Sequence, residues 1–163
     1  MGLCDAGAQM CTASPRCRPT WAPPATAVAA GAEHTCAVTT NRTVSCWGRN
    51  DVSQVRVPSY LGQVTALSLG ADYTCAVTIN GDVLCWGGND EYRQASVPAN
   101  LGPSTAVAAG VYHTCAVVAN RTVRCWGVNC DGRAQAPPDL DPTTAVAVGE
   151  DHTCALTTNG AVR

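Results

Sequence analysis

The chain has 163 residues, with ten Arg, no Lys and twelve acidic residues, for a formal net charge of −2, which builds no basic field for nucleic acid. Apolar residues make up 46% and charged residues 13%, enough for the core of one domain, and no apolar run approaches the roughly 18 residues of a membrane span. Eleven Cys is a large and odd number, so they cannot all pair within one chain.

In chain order, residues 1–18 form an irregular leader holding Cys4, Cys11 and Cys17. It lacks the apolar stretch of a secretory signal. Its opening Met-Gly is a poor acylation signal, because position 6 is Ala6 rather than Ser or Thr. From Pro19 to Arg163 the chain repeats. Thr26 opens TAVAAGAEHTCAV, Thr65 opens TALSLGADYTCAV, Thr105 opens TAVAAGVYHTCAV and Thr144 opens TAVAVGEDHTCAL, with starts 39, 40 and 39 residues apart. A second block follows in the first three copies: VSCWGRND, VLCWGGND and VRCWGVNCD. A third reads VPSYLG from Val57, VPANLG from Val97 and the weaker APPDLD from Ala136. The fourth copy reaches Arg163 one residue before its C-W-G is due.

Within a copy, Ala27-Val28-Ala29-Ala30 reads as a strand of small residues ended by Gly31, suited to a crowded place where sheets converge. A second strand runs from Thr35 to Thr39 and a third from Thr43 to Gly48. Turn signals between them are Asn41-Arg42, Asn80-Gly81, Asn120-Arg121 and Asn159-Gly160. Each copy is thus a small antiparallel meander, and helical periodicity is absent.

The Cys positions fix the register. Cys36 and Cys46, Cys75 and Cys85, and Cys115 and Cys125 each stand ten residues apart. Direct opposition requires an odd loop, and Ile79-Asn80-Gly81 satisfies it with Gly81 in the left-handed position. Arg42 and Arg121 then occupy the same position at a cost of roughly 1 kcal/mol. Opposed Cys at a non-hydrogen-bonded pair suit a cross-strand disulfide. Buried free thiols are the other reading, and the threefold recurrence favours disulfides. Disulfides imply an oxidising compartment, an extracellular or secretory-lumen location with the cytoplasm as the alternative.

The pattern G-x-x-H-T-C-A-[VL]…N-G-x-[VL]-x-C-W-G-x-N, carried by Gly31, His34, Thr35, Cys36, Cys46, Trp47, Gly48 and Asn50 and their equivalents, resembles the regulator-of-chromosome-condensation repeat superfamily. It is similar to its short cysteine-bearing repeats, such as those of the propeller-type β-lactamase inhibitor. The resemblance covers residues 19–163 and implies an all-β fold, with repeats as blades of a seven-bladed β-propeller. Seven blades need about 280 residues at this period. The expectation here is a partial, open-arc propeller of about four repeats, with bare faces that favour self-association.

Candidate chemistry is sparse. His34, His113 and His152 share one repeat slot with Tyr73, so the slot takes either ring, and a bond to the neighbouring blade explains it better than a metal or a catalyst. Trp47, Trp86 and Trp126 read as blade packing beside the Cys pairs. The family's ultraviolet photoreceptor carries Trp in a pentapeptide that corresponds here to GAEHT, GADYT and GVYHT, which hold none. Cys125 and Cys130 have a spacing zinc could use, but no second ligand pair accompanies them. Asp51, Asp90, Glu91 and Asp131 fit turns rather than a calcium loop. No phosphate loop or nucleophile motif appears, so no enzyme and no cofactor is expected. Asn41 and Asn120 head N-glycosylation sequons at hairpin tips. The loops after each C-W-G, from Arg49 to Arg56, Gly88 to Ser96 and Val128 to Ala136, vary between copies while the scaffold repeats. Their Arg49, Arg56, Tyr92, Arg93 and Arg133 are the expected partner-binding residues. The expected function is a non-catalytic protein-binding module, a fragment of a larger seven-bladed propeller, with an unspecified protein partner. The alternative, nucleotide exchange on a small GTPase, lacks the hairpin insertion that the nuclear relative uses.

Overall fold

The structure is a computed structural model that describes residues 24–88 and 91–163. The leader with Cys4, Cys11 and Cys17, Pro19 and the loop acid Asp90 lie outside the described residues. Among the described residues, eleven strands form four small antiparallel sheets. Blade one holds β1 (Ala25–Ala30), β2 (His34–Thr39) and β3 (Val44–Gly48). Blade two holds β4 (Val64–Leu69), β5 (Tyr73–Thr78) and β6 (Val83–Gly87). Blade three holds β7 (Ser104–Ala109), β8 (His113–Val118) and β9 (Val123–Gly127). Blade four has β10 (Thr143–Val148) and β11 (Thr153–Thr157), with a lone bridge between Leu156 and Val162.

The Cys register is the expected one. Cys36 faces Cys46, Cys75 faces Cys85 and Cys115 faces Cys125. All three pairs are disulfides, with Cα separations of 4.0, 4.1 and 4.0 Å. The left-handed turn position is occupied by Arg42 (φ 62°), Gly81 (φ 87°), Arg121 (φ 67°) and Gly160 (φ 85°). That backbone turn has a use. The carbonyls of Arg42, Gly81 and Arg121 accept the amides of Val64, Ser104 and Thr143, the first link from each blade to the next, at 2.9, 2.8 and 2.8 Å.

One feature of every blade departs from the simple strand reading. Thr26, Thr65, Thr105 and Thr144 each sit at a register shift between the first two strands. Their hydroxyls donate to the carbonyls of Val38, Val77, Val117 and Leu156 at 3.4, 3.3, 3.3 and 3.1 Å. The Thr is a bulge residue whose side chain replaces ladder bonds that the extra residue disrupts.

The core lies between blades rather than within one. Val38, Leu61, Val64, Ala76 and Trp86 close the first interface. Tyr73, Cys75, Val77, Leu101, Val107, Ala109, Ala116, Val118 and Trp126 close the second. The Leu of VPSYLG and VPANLG plugs each one. Strands β5 and β8 are buried along their whole length. Small residues recur on the first strands because backbones approach closely there. A Cβ on Gly31 would stand 2.5 Å from the carbonyl oxygen of Gly70, and one on Gly70 would stand 2.5 Å from that of Gly110.

Candidate functional site

The loops after each C-W-G gather on one rim with the turns between first and second strands. The amides of Arg49 and Val128 donate to the carbonyls of Glu33 and Tyr112, at 2.9 Å each. The hairpin tips carrying Asn41 and Asn120 occupy the opposite rim, where both are exposed. The Thr122 hydroxyl donates to the Asn120 side-chain oxygen at 2.8 Å.

Each described loop is pinned to the following blade by one carbonyl. The Gln54 carbonyl accepts the Thr74 hydroxyl at 2.9 Å and the Trp86 indole N–H at 3.1 Å. The Gln94 carbonyl accepts Thr114 at 2.8 Å and Trp126 at 2.9 Å. The Arg133 carbonyl accepts Thr153 at 3.0 Å. The same threonines meet the aromatic slot of the preceding blade. His34 Nε2 lies 2.9 Å from Thr74 Oγ1, the Tyr73 hydroxyl 2.7 Å from Thr114 Oγ1, and His113 Nε2 2.7 Å from Thr153 Oγ1. Burial lowers the pKa of both histidines and pushes that of Tyr73 up to about 12.

Gln54 and Gln94 are buried, and sequence reasoning passed over them. Their side chains hold the loops in shape, with Oε1 accepting the amides of Val52 and Tyr92 at 3.1 and 3.2 Å. The available signal was their position, eleven residues ahead of Thr65 and Thr105.

The five residues expected to meet a partner divide. Arg49 binds Glu33 at 3.0 Å and Asp51 at 2.5 Å, and reaches Asp72 of blade two at 3.8 Å. Its hydrogen bond, aided by Gln54, holds the Asp51 carboxyl below its ordinary pKa. Arg133 has a side chain only 14% exposed, donates to the Cys130 carbonyl at 3.0 Å and pairs with Asp151 of blade four. Both are brackets across blade interfaces. Arg56, Tyr92 and Arg93 are exposed on the loops, and the Tyr92 ring meets Tyr112 edge-on, with centroids 5.6 Å apart. Cys130 is an exposed free thiol. Cys125, its suggested zinc partner, is occupied by Cys115. Among the described residues no group of His, Cys, Asp and Glu could hold a metal ion, and no helix is long and apolar enough to cross a membrane.

The Regulator of chromosome condensation (RCC1) repeat matches residues 25–54, 64–93, 105–133 and 144–163. The chain belongs to this family. Several solved structures share its fold. The CRINKLY WD40 ectodomain of the Arabidopsis thaliana receptor kinase ACR4 superposes with a TM-score of 0.67 at 26% identity, over 80% of this chain and 46% of its own. Human WBSCR16 gives 0.75 at 21% identity, over 89% of this chain and 48% of its own. Prp20p of Saccharomyces cerevisiae, described with its binding to Gsp1p and histones, gives 0.68 at 18% identity, over 88% and 46%. The chain therefore spans less than half the length of each of these solved chains. No curated protein matches it.

Proposed function

We propose that the chain is a non-catalytic protein-binding module of an oxidising exterior, and that it forms part of a larger seven-bladed propeller. Residues 1–18 lead into an array over 19–163, and the rim with Arg56, Tyr92 and Arg93 meets a protein partner. The observation that carries this reading is the set of three disulfides, one in each three-stranded blade, beneath a rim whose exposed loops vary. The likeness to a receptor-kinase ectodomain supports the exterior. Asn41 and Asn120 suit glycosylation there, away from the binding rim. Exposed faces at the ends of the array suit self-association or further blades.

Two measurements test the reading. Denatured protein from its native source should titrate about five thiols before reduction and eleven after. Eleven before reduction overturns the oxidising location. Against a captured partner, Tyr92→Ala and Arg93→Ala should each weaken binding about tenfold or more, whereas Arg124→Ala on the outer strand β9 should not. The reverse outcome places the partner elsewhere.

A further inference from the structure

The aromatic slot leaves a proton ledger that can be closed. Thr74 has one hydroxyl proton, and it goes to the Gln54 carbonyl, so Thr74 Oγ1 accepts from the ring facing it. His34 therefore carries its proton on Nε2, and Nδ1 is a bare acceptor. Thr153 gives its proton to the Arg133 carbonyl, which fixes the same tautomer on His113. Both Nδ1 atoms are buried, with no protein partner. Gly31 closes over the first ring, since even a Cβ there would stand 2.8 Å from His34 Nδ1. A proton arriving at either Nδ1 becomes a buried charged donor with no protein group to accept it. The middle interface has no such group, because Tyr73 fills the slot and its hydroxyl reaches Thr114 and the His113 carbonyl.

We infer that the blade array carries two acid-labile latches. The interfaces between blades one and two and between blades three and four open as His34 and His113 take up protons, while the Tyr73 interface stays closed. Mild acid thus divides the array into three bodies: blade one, blades two and three together, and blade four. The disulfides keep each of the first three blades folded within itself.

The surrounding charges do not cancel the effect. Asp72 of blade two favours the His34 cation, but Asp72 also lies by Arg49, which Glu33 and Asp51 share. Around His113, Asp151 favours the cation, and Arg133 and His152 oppose it, with Asp131 further out beside Arg133. Burial outweighs these charges at both rings.

Each interface contains a backbone bond that reports its opening: Val64 N–H for the first, Ser104 N–H for the second and Thr143 N–H for the third. Amide hydrogen exchange on the full chain, corrected for intrinsic rates, should show Val64 and Thr143 losing protection between pH 7.5 and 5. The loss should reach up to about tenfold for each unit by which the folded-state pKa lies below 6.5. Ser104 should keep its protection. His34→Tyr should abolish the loss at Val64 and leave that at Thr143. Equal loss at all three amides, no loss at any, or persistence of the Val64 loss in His34→Tyr overturns the inference. Imidazole proton shifts give a second measurement that needs no variant. Folded-state pKa values below 6.5 for both rings support the latches, and a value at or above 6.5 for either overturns them.

Discussion

Thr74 and Thr114 are fully buried hydroxyls that join three groups each: a ring from the blade before, a loop carbonyl and, through that carbonyl, an indole. Thr114→Val keeps the shape and removes the hydroxyl, leaving the Tyr73 hydroxyl with the His113 carbonyl alone and the Gln94 carbonyl without the Thr114 donor. It should cost about 1–3 kcal/mol, read as a lower urea midpoint, and Thr114→Ser should recover most of it. Gly70→Ala should be more severe. Its Cβ would meet the Gly110 carbonyl and the Tyr73 ring, and the carbonyl is backbone that cannot swing aside. A loss of at least about 3 kcal/mol, or no soluble protein, is expected. At this scale the sequence disclosed the aromatic slot, because every copy fills it with His or Tyr. It hid Gln54 and Gln94, because the atom each offers the next blade is a main-chain carbonyl, which residue identity does not encode.

The hairpin between second and third strands is where local rules and the array meet. Ten-residue Cys spacing with direct opposition allows a three-residue loop, and the loop demands a left-handed third residue. Asn80-Gly81 supplies it without strain. Arg42 and Arg121 accept roughly 1 kcal/mol of strain, and their carbonyls still deliver the link to the next blade. Arg42→Gly should therefore raise stability by up to about 1 kcal/mol, seen as a higher urea midpoint, with part of the gain offset by the freedom glycine adds to the unfolded chain. Reduction should act in the opposite direction. Each small disulfide loop is worth about 2–3 kcal/mol in the chain-entropy treatment, so Cys75→Ser with Cys85→Ser should lower stability by that order without changing the sheet. The bulge at Thr26 and its equivalents was not legible in this way. TAVA reads as plain strand, and only the partner strand shows that one residue is extra.

Across the whole molecule, stability is a chain of neighbouring interfaces. Strands β5 and β8 are buried throughout, whereas β1 is largely exposed along its length. Hydrogen exchange should therefore begin in blade one and at β10–β11, and reach β5 and β8 last. A uniform rate across all strands would contradict a nearest-neighbour array. The pH dependence has a defined sign. His34 and His113 have folded-state pKa values below the ordinary 6.5, so the unfolded chain binds more protons in acid, and stability falls as pH drops below about 6.5. Tyr73 acts at the other end. With its pKa raised to about 12, the unfolded chain loses that proton first, and stability falls as pH rises through 10. The melting temperature should form a plateau between about pH 7 and 9.

The sequence by itself determined the period, the meander, the Cys register and the left-handed turn, because each is a matter of spacing along the chain and of local backbone sterics. It also marked the rim loops as the variable part. Only the tertiary structure decided what each rim residue is free to do. Arg49, Arg56, Tyr92, Arg93 and Arg133 look alike as candidates in one dimension. In the folded array Arg49 and Arg133 face acids carried on the next blade, and Arg56, Tyr92 and Arg93 face outward. That division depends on how one blade is set against another, and residues 18 to 23 positions apart in sequence, Arg133 with Asp151 and Arg49 with Asp72, become ion-pair partners only when two separately specified meanders are stacked.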